Sequence, residues 1–223
     1  MLASAIISKI RALADIVGSQ FITDAELLGY INTSYGKLYS ELASSGQGFY
    51  VSSGNINLVA GTKNYALPDS LYKLLGVDYV VDSNTTITLR PFNFKDRNKY
   101  TSVAGEPVAY SLVGSNIQLM PVPTVTKTAG IVLWYVPNYT QLTTVGDSIS
   151  LPVDGMEAYL IWDVGANCQA KEESPTEYSK QKRMDAYNDF RRALSPRDEG
   201  MCQQVVDVEN IGICDNILVT PYF

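Results

Sequence analysis

No histidine occurs anywhere in the 223 residues. That removes the commonest general base and metal ligand, and it makes Ser-His-Asp and Cys-His arrangements impossible. Cysteine is scarce: Cys168, Cys202 and Cys214 are an odd number, no two form a CxxC pair, and without His the usual zinc spacings are absent. They are expected to be reduced, structural thiols. Gly46-Gln47-Gly48 lacks the further Gly and the Lys-Ser/Thr of a phosphate-binding loop, so its glycines are read as ending a helix. A glycosidase could work with two carboxylates alone, but no pair stands out, and Glu172-Glu173 beside Lys171 reads as solvated. The expected absences are therefore an enzymatic activity, a cofactor and a metal.

Positive charge is also short, with 17 Lys and Arg against 23 Asp and Glu, a net charge of -6. A nucleic-acid binder would ordinarily show a basic face, so that class is disfavoured. No apolar run approaches the ~20 residues of a membrane span. At the start of the chain, Lys9 and Arg11 follow the apolar residues instead of preceding them, the wrong order for a signal peptide, and a cytoplasmic protein without membrane contact is expected. With 46% hydrophobic and 18% charged residues, the chain can bury an ordinary core. The 15 Tyr are numerous and spread along the chain. A rigid ring with a polar tip suits a surface buried against a partner, or equally the rim of a sandwich core.

Apolar residues at Ile6, Ile10, Leu13 and Val17 fall at helical spacing and predict a helix over residues 3–17, stopped by Gly18. The strongest local signal follows. Thr23-Asp24-Ala25-Glu26 is a capping box, with Ile22 and Leu27 placed as a hydrophobic staple. The stripe then runs through Leu27, Ile31, Ser34 or Tyr35, Leu38 and Leu42, flanked by Tyr30 and Tyr39, so a helix is predicted over 24–44.

From Phe49 to Leu151 the pattern is of β type. Short runs at 55–60, 63–67, 75–81, 85–90, 109–113, 116–120 and 131–136 alternate with turn residues, among them Asp82-Ser83-Asn84 and Gly114-Ser115. The runs at 109–113 and 116–120 are the best hairpin, and the whole reads as an antiparallel sandwich or barrel. Residues 92–100 read as one short surface helix. Helical spacing returns with Leu160, Ile161, Val164 and Cys168, with Asp154 as the expected cap of a helix at 154–172. Ser174-Pro175-Thr176-Glu177 predicts a further start, giving a helix at 175–194 that buries Tyr178, Gln181 or Met184, Tyr187 and Phe190 or Leu194. Its Lys180, Lys182, Arg183, Asp185, Arg191 and Arg192 read as a solvated face.

The expected fold is α+β. Residues 1–48 and 153–194 supply one helical bundle, with Leu27, Ile31, Leu38, Leu160, Ile161, Val164 and Tyr187 inside. Residues 49–152 form an inserted antiparallel β region, and 195–223 an extended C-terminal arm. Residues 201–223 hold ten large aliphatic or aromatic side chains and no Lys or Arg. Such a segment should dock, and Val205, Val206, Val208, Ile211, Ile213, Tyr222 and Phe223 are the candidate contact residues. A neighbouring subunit or other partner is one acceptor, and the chain's own β region is the alternative.

Several stretches resemble the head-to-tail adaptor (portal-binding connector) proteins of tailed bacteriophages, of podovirus type. Phe21-Ile22-Thr23-Asp24-Ala25-Glu26-Leu27-Leu28-Gly29-Tyr30-Ile31-Asn32 is similar to that family's N-terminal helix. Tyr65-Ala66-Leu67-Pro68-Asp69 is similar to its strand ending in Leu-Pro-Asp, and Ile117 to Pro123 to its hairpin with a Pro-x-Pro exit. Trp134-Tyr135-Val136-Pro137 and the helix from Val153 also fit. The likeness spans about Phe21 to Leu194 and leaves the arm unmatched. It implies a non-enzymatic virion subunit at the neck, assembled in the host cytoplasm. There it would form a homo-oligomeric ring, typically twelve-fold, joining the portal protein to tail, nozzle or fibre-attachment proteins. DNA would be only cargo in the channel. Two other classes compete: a tail-completion or tail-tube subunit, which would stack into tubes, and a carbohydrate or cell-wall module presenting Tyr and Trp134, which would bind glycan as a monomer.

Overall fold

The computed structural model describes residues 1–16, 21–45, 48–93, 95 and 104–194. Four helices, α1 (Ala3–Leu13), α2 (Asp24–Ser44), α3 (Met156–Lys171) and α4 (Glu177–Ala193), enclose eight strands in the chain order. The strands are β1 (Ser52–Leu58), β2 (Asn64–Ala66), β3 (Leu71–Val80), β4 (Thr86–Thr88), β5 (Arg90–Pro91), β6 (Ala109–Val113), β7 (Asn116–Met120) and β8 (Lys127–Pro137). The fold is α+β.

Helix α2 has the predicted bounds because its start is chemically specified. The Thr23 hydroxyl accepts from the Glu26 amide at 3.3 Å, and Ile22 and Leu27 are both fully buried in one cluster. Only half of the capping box forms, however: the Glu26 carboxylate goes to Lys171 on α3, at 2.6 and 2.7 Å, and to the Tyr30 hydroxyl. A full ammonium is a stronger partner than a backbone amide. Its pull is the main reason that the Glu26 carboxyl sits below its usual range.

Helix α1 ends at Leu13, four residues short of expectation, and Val17 lies outside the described residues. Asp15 takes a left-handed φ of 58°, which breaks the helix, and Arg11 folds over the exit to bond the Ile16 and Ile22 carbonyls. The start of α1 has no side-chain cap. Its first amides are satisfied from far away instead: Ala3 donates to the Asp147 carbonyl and Ser4 to the Val145 carbonyl. The terminal ammonium of Met1 bonds the Ile149 carbonyl. A loop at the end of the β region thus serves as the cap of the first helix.

The starts of α3 and α4 correct the sequence reading. Asp154 does not cap α3; Gly155, at φ 86°, stands at the cap, and the helix begins at Met156. Helix α4 begins at Glu177 after Thr176, and Ser174-Pro175 lie before it. Its buried side is Ser179, Ala186 and Phe190, while Tyr178 and Met184 are exposed at 67% and 50%, and Gln181 is exposed too. The stripe therefore lies about one residue round from the predicted one. Leu27, Ile31, Leu38, Leu160 and Val164 are buried as expected, whereas Ile161 and Tyr187 are half-buried. Helix α3 touches each of the other three helices and forms the centre of the bundle.

The strands form two four-stranded sheets, ordered β1-β8-β3-β4 and β2-β7-β6-β5. Leu58, Val77, Tyr79, Ile117, Leu119, Ile131 and Leu133 from both sheets share one core. The β6–β7 hairpin has the predicted bounds, turning at Gly114 with φ 61°. All named pairings are antiparallel except the two-residue β5–β6 pair, which is parallel. The run predicted at 85–90 divides here: β4 stays with β3, and β5 crosses to the other sheet. Strand β8 starts four residues before the expected Ile131, passing a bulge where Ala129 has φ 51° and Gly130 lies against Leu58. Of the short helix expected at 92–100, residues 94 and 96–100 lie outside the described residues.

Candidate assembly surface

Two polar constellations tie the elements together. The first is a tyrosine belt between α2 and the β region. Tyr39 stacks on Tyr50 at 4.5 Å and meets Tyr35, Tyr72 and Tyr139 edge-on or tilted within 6.2 Å. The Tyr39 hydroxyl donates to the Pro137 carbonyl at 2.6 Å, and those of Tyr35 and Tyr50 both reach the Ser150 carbonyl at 3.1 Å. Burial pushes the Tyr39 hydroxyl up to about 12 and raises that of Tyr50 further, so each stays a neutral donor at any ordinary pH. Lys73 adds a bond from β3 to the Ala43 carbonyl at the end of α2. A third of the tyrosines thus stand at this seam, and the tips of Tyr35, Tyr39, Tyr50 and Tyr139 each satisfy a carbonyl.

The second constellation centres on Asp163 of α3, whose side chain is 3% exposed. It accepts from the Ser34 hydroxyl of α2 at 2.5 Å and from the Arg183 guanidinium of α4 at 3.2 Å, with the Lys37 ammonium at 3.8 Å. Beside it, Glu41 accepts from the Tyr187 hydroxyl and pairs with Arg191 at 3.2 Å. The charge run on α4 is therefore not simply a solvated face, because Arg183 and Arg191 reach carboxylates on α3 and α2. A cavity of about 360 Å3 lies between these groups, lined by Lys37, Glu41, Tyr159 and Asp163 among others. Its charges are already matched within the chain, so it reads as an interhelical lock. The signal for it in the sequence was faint: Ser34 on an otherwise apolar stripe, and Asp163 next to Val164.

Apolar surface remains on the outside of the bundle. Trp162 is half-buried and meets Tyr178 edge-on at 5.7 Å, and Lys182 lies over the Tyr178 ring at 5.8 Å. On the β region, Trp134 is 42% exposed and donates from its indole to Asp78 at 2.7 Å. Among the described residues, no group of three or more Cys, Asp or Glu is placed to hold a metal. No helix among them is long and apolar enough to cross a membrane. The arm residues singled out from the sequence, Val205, Val206, Val208, Ile211, Ile213, Tyr222 and Phe223, lie outside the described residues.

The geometry is one of braced elements with apolar rings left on the surface, which is suited to docking against protein. No curated protein matches the chain. A family model described as SU10 adaptor protein matches residues 1–207, which takes in all four helices and both sheets. The chain belongs to this family of phage head-to-tail adaptors.

Proposed function

We propose that the protein forms a closed twelve-fold ring at the virion neck, joining the portal protein to tail or nozzle components around the DNA exit channel. The match to the adaptor family over residues 1–207 is the observation that carries this reading. Physical character supports it. A head-to-tail contact lets each copy cover its neighbour's apolar surface without open-ended growth, provided the rotation closes. A net charge of -6 suits a passage that must release DNA, because every Lys or Arg contact with phosphate would strengthen retention. A chain without histidine, whose buried carboxylate is already paired within the bundle, is read as structural and not catalytic.

In this reading the 1–48 and 153–194 helices are one unit, 49–152 an inserted unit and 195–223 an arm. In the ring, the arm contacts the neighbouring subunit or the portal through Val205, Val206, Val208, Ile211, Ile213, Tyr222 and Phe223. Electron microscopy of the protein mixed with its portal tests the proposal. A ring of twelve copies on the portal is expected; absence of any cyclic assembly there, or tubes growing from the protein alone, overturns it.

A further inference from the structure

A groove of about 740 Å3 runs between α1 and α3 on the outer face of the bundle. Its walls are Ala12 and Leu13 from α1 and Ala158, Ile161 and Trp162 from α3, with the Lys9–Glu157 ion pair alongside. The edge-on contact of Trp162 with Tyr178 continues the apolar strip onto α4. We propose that in the free subunit this groove holds the chain's own C-terminal segment, residues 201–223. The inference rests on reading that segment as a docking arm, and it adds the acceptor surface and the state in which the surface is filled.

Three observations favour this occupant. The first is where the described chain ends. Gly155 belongs to the groove wall, and Phe190 of α4 packs so closely on it that a Cβ there would lie 2.8 Å from the Phe190 nitrogen. Helix α4 closes with Leu194 as its C-cap, one turn after Phe190, so the following residues start beside one end of the groove. Residues 195–200 can extend roughly 20 Å, enough to reverse direction into it. The second is chemical match. The segment has ten large aliphatic or aromatic residues, the carboxylates of Asp207, Glu209 and Asp215, and no Lys or Arg. The groove is apolar, and the two lysines beside it, Lys9 and Lys182, are already paired with Glu157 and Asp185, so the match is one of apolar surface. The third is tethering. A short linker sets an effective concentration on the order of mM, well above that of a second copy in dilute solution. Parking the arm covers apolar surface on both partners before assembly. Ring formation then exchanges the arm onto a neighbour or the portal, a domain-swap logic that needs no new surface.

The segment's own Cys202 and Cys214 make the test direct. Ala12 and Ala158 are exposed and small, so Ala12→Cys and Ala158→Cys should fold normally. Thr86→Cys, on the exposed edge of β4, is the control. Cys168 stays out of the exchange because burial pushes its thiol up to about 11. The three full-length variants are oxidised mildly at low micromolar concentration, then resolved on non-reducing gels and by peptide mapping. Disulfides from both groove positions to Cys202 or Cys214 within single chains, with Thr86→Cys left reduced, are expected. Bridges found only between two chains, only at Thr86→Cys, or no more often at the groove than at Thr86→Cys overturn the proposal. Deletion of residues 201–223 separates this from the assembly reading. If groove bridges form yet the deletion leaves ring formation on the portal intact, the arm's role in the ring fails and the groove stands. If the bridges are absent yet the deletion abolishes the ring, the groove fails and the arm's role stands.

Discussion

Replacing Gly155 by Ala and Gly29 by Ala makes the same chemical change with opposite expected signs. Gly155 has φ 86°, a conformation in which an L side chain is strained by about 1–3 kcal/mol. An added Cβ would also lie 2.8 Å from the Phe190 nitrogen and 3.0 Å from its Cα. Those are backbone atoms of a helix whose Phe190 ring is fully buried, so relief requires the last turn of α4 to shift and loosen a core contact. Together the two effects come to about 3 kcal/mol of lost stability, or roughly 6–12 °C in Tm for a chain of this size. Gly29 sits inside α2 on its exposed side, and a Cβ there meets nothing within 4 Å. Gly29→Ala should stabilise by about 0.5–1 kcal/mol, because glycine loses the most backbone freedom on folding. Urea unfolding of the free subunit, followed by circular dichroism, reads both midpoints, and an unchanged m-value confirms that stability alone has moved. A Gly155→Ala protein within about 0.5 kcal/mol of the parent would refute the packing argument at α3 and α4, and a destabilised Gly29→Ala would refute the open space assigned beside α2.

Asp163→Ala should cost about 2–4 kcal/mol, since it leaves the buried Ser34 hydroxyl and the Arg183 guanidinium without their acceptor. Ser34→Ala should then add less than about 1 kcal/mol on that background, and additive costs in a double-mutant cycle would show that the two groups do not interact. Thr23→Ala should lower stability by on the order of 1 kcal/mol through loss of the α2 cap, measured by the same unfolding curves; no change means that the 3.3 Å bond contributes nothing. The amides of Thr144 and Thr143, followed by their hydroxyls, hold the Asp147 carboxyl down to about 2 from 3.8. A depressed folded value gives a contribution that is fully present above about pH 4 and is lost as pH falls toward 2. Asp147→Asn should therefore flatten the fall in Tm across that window, and parallel Tm-versus-pH profiles for the two proteins would refute the assignment.

The parts that were legible in the sequence are those whose signals are local. Ile22, Thr23, Glu26 and Leu27 mark the start of α2 within six residues, and the stripe from Leu27 to Leu42 gives its length and inner face. Gly114-Ser115 between two β runs gives the hairpin, and the absence of histidine narrows the chemistry before any fold is known. The family likeness was readable for the same reason, because capped helices and Pro-bounded strands keep their order along the chain. Elsewhere local rules favoured one answer and distant contacts another. Ser174-Pro175 and Asp154 are sound helix starts in isolation, yet Gly155 takes the cap position of α3, where Phe190, 35 positions later, fills the space that a Cβ would need. Tyr178 and Met184 make a fair apolar stripe on α4, but Arg183 must face Asp163 and Ser179 must reach Gln169, which turns those two outward. The first helix finds its cap in carbonyls more than 140 residues away. Nor does any local pattern announce that β5 leaves β4 to pair in parallel with β6. Helix phase and strand partners are set by which polar groups must be satisfied across the core. That is a property of three-dimensional neighbours and not of sequence neighbours.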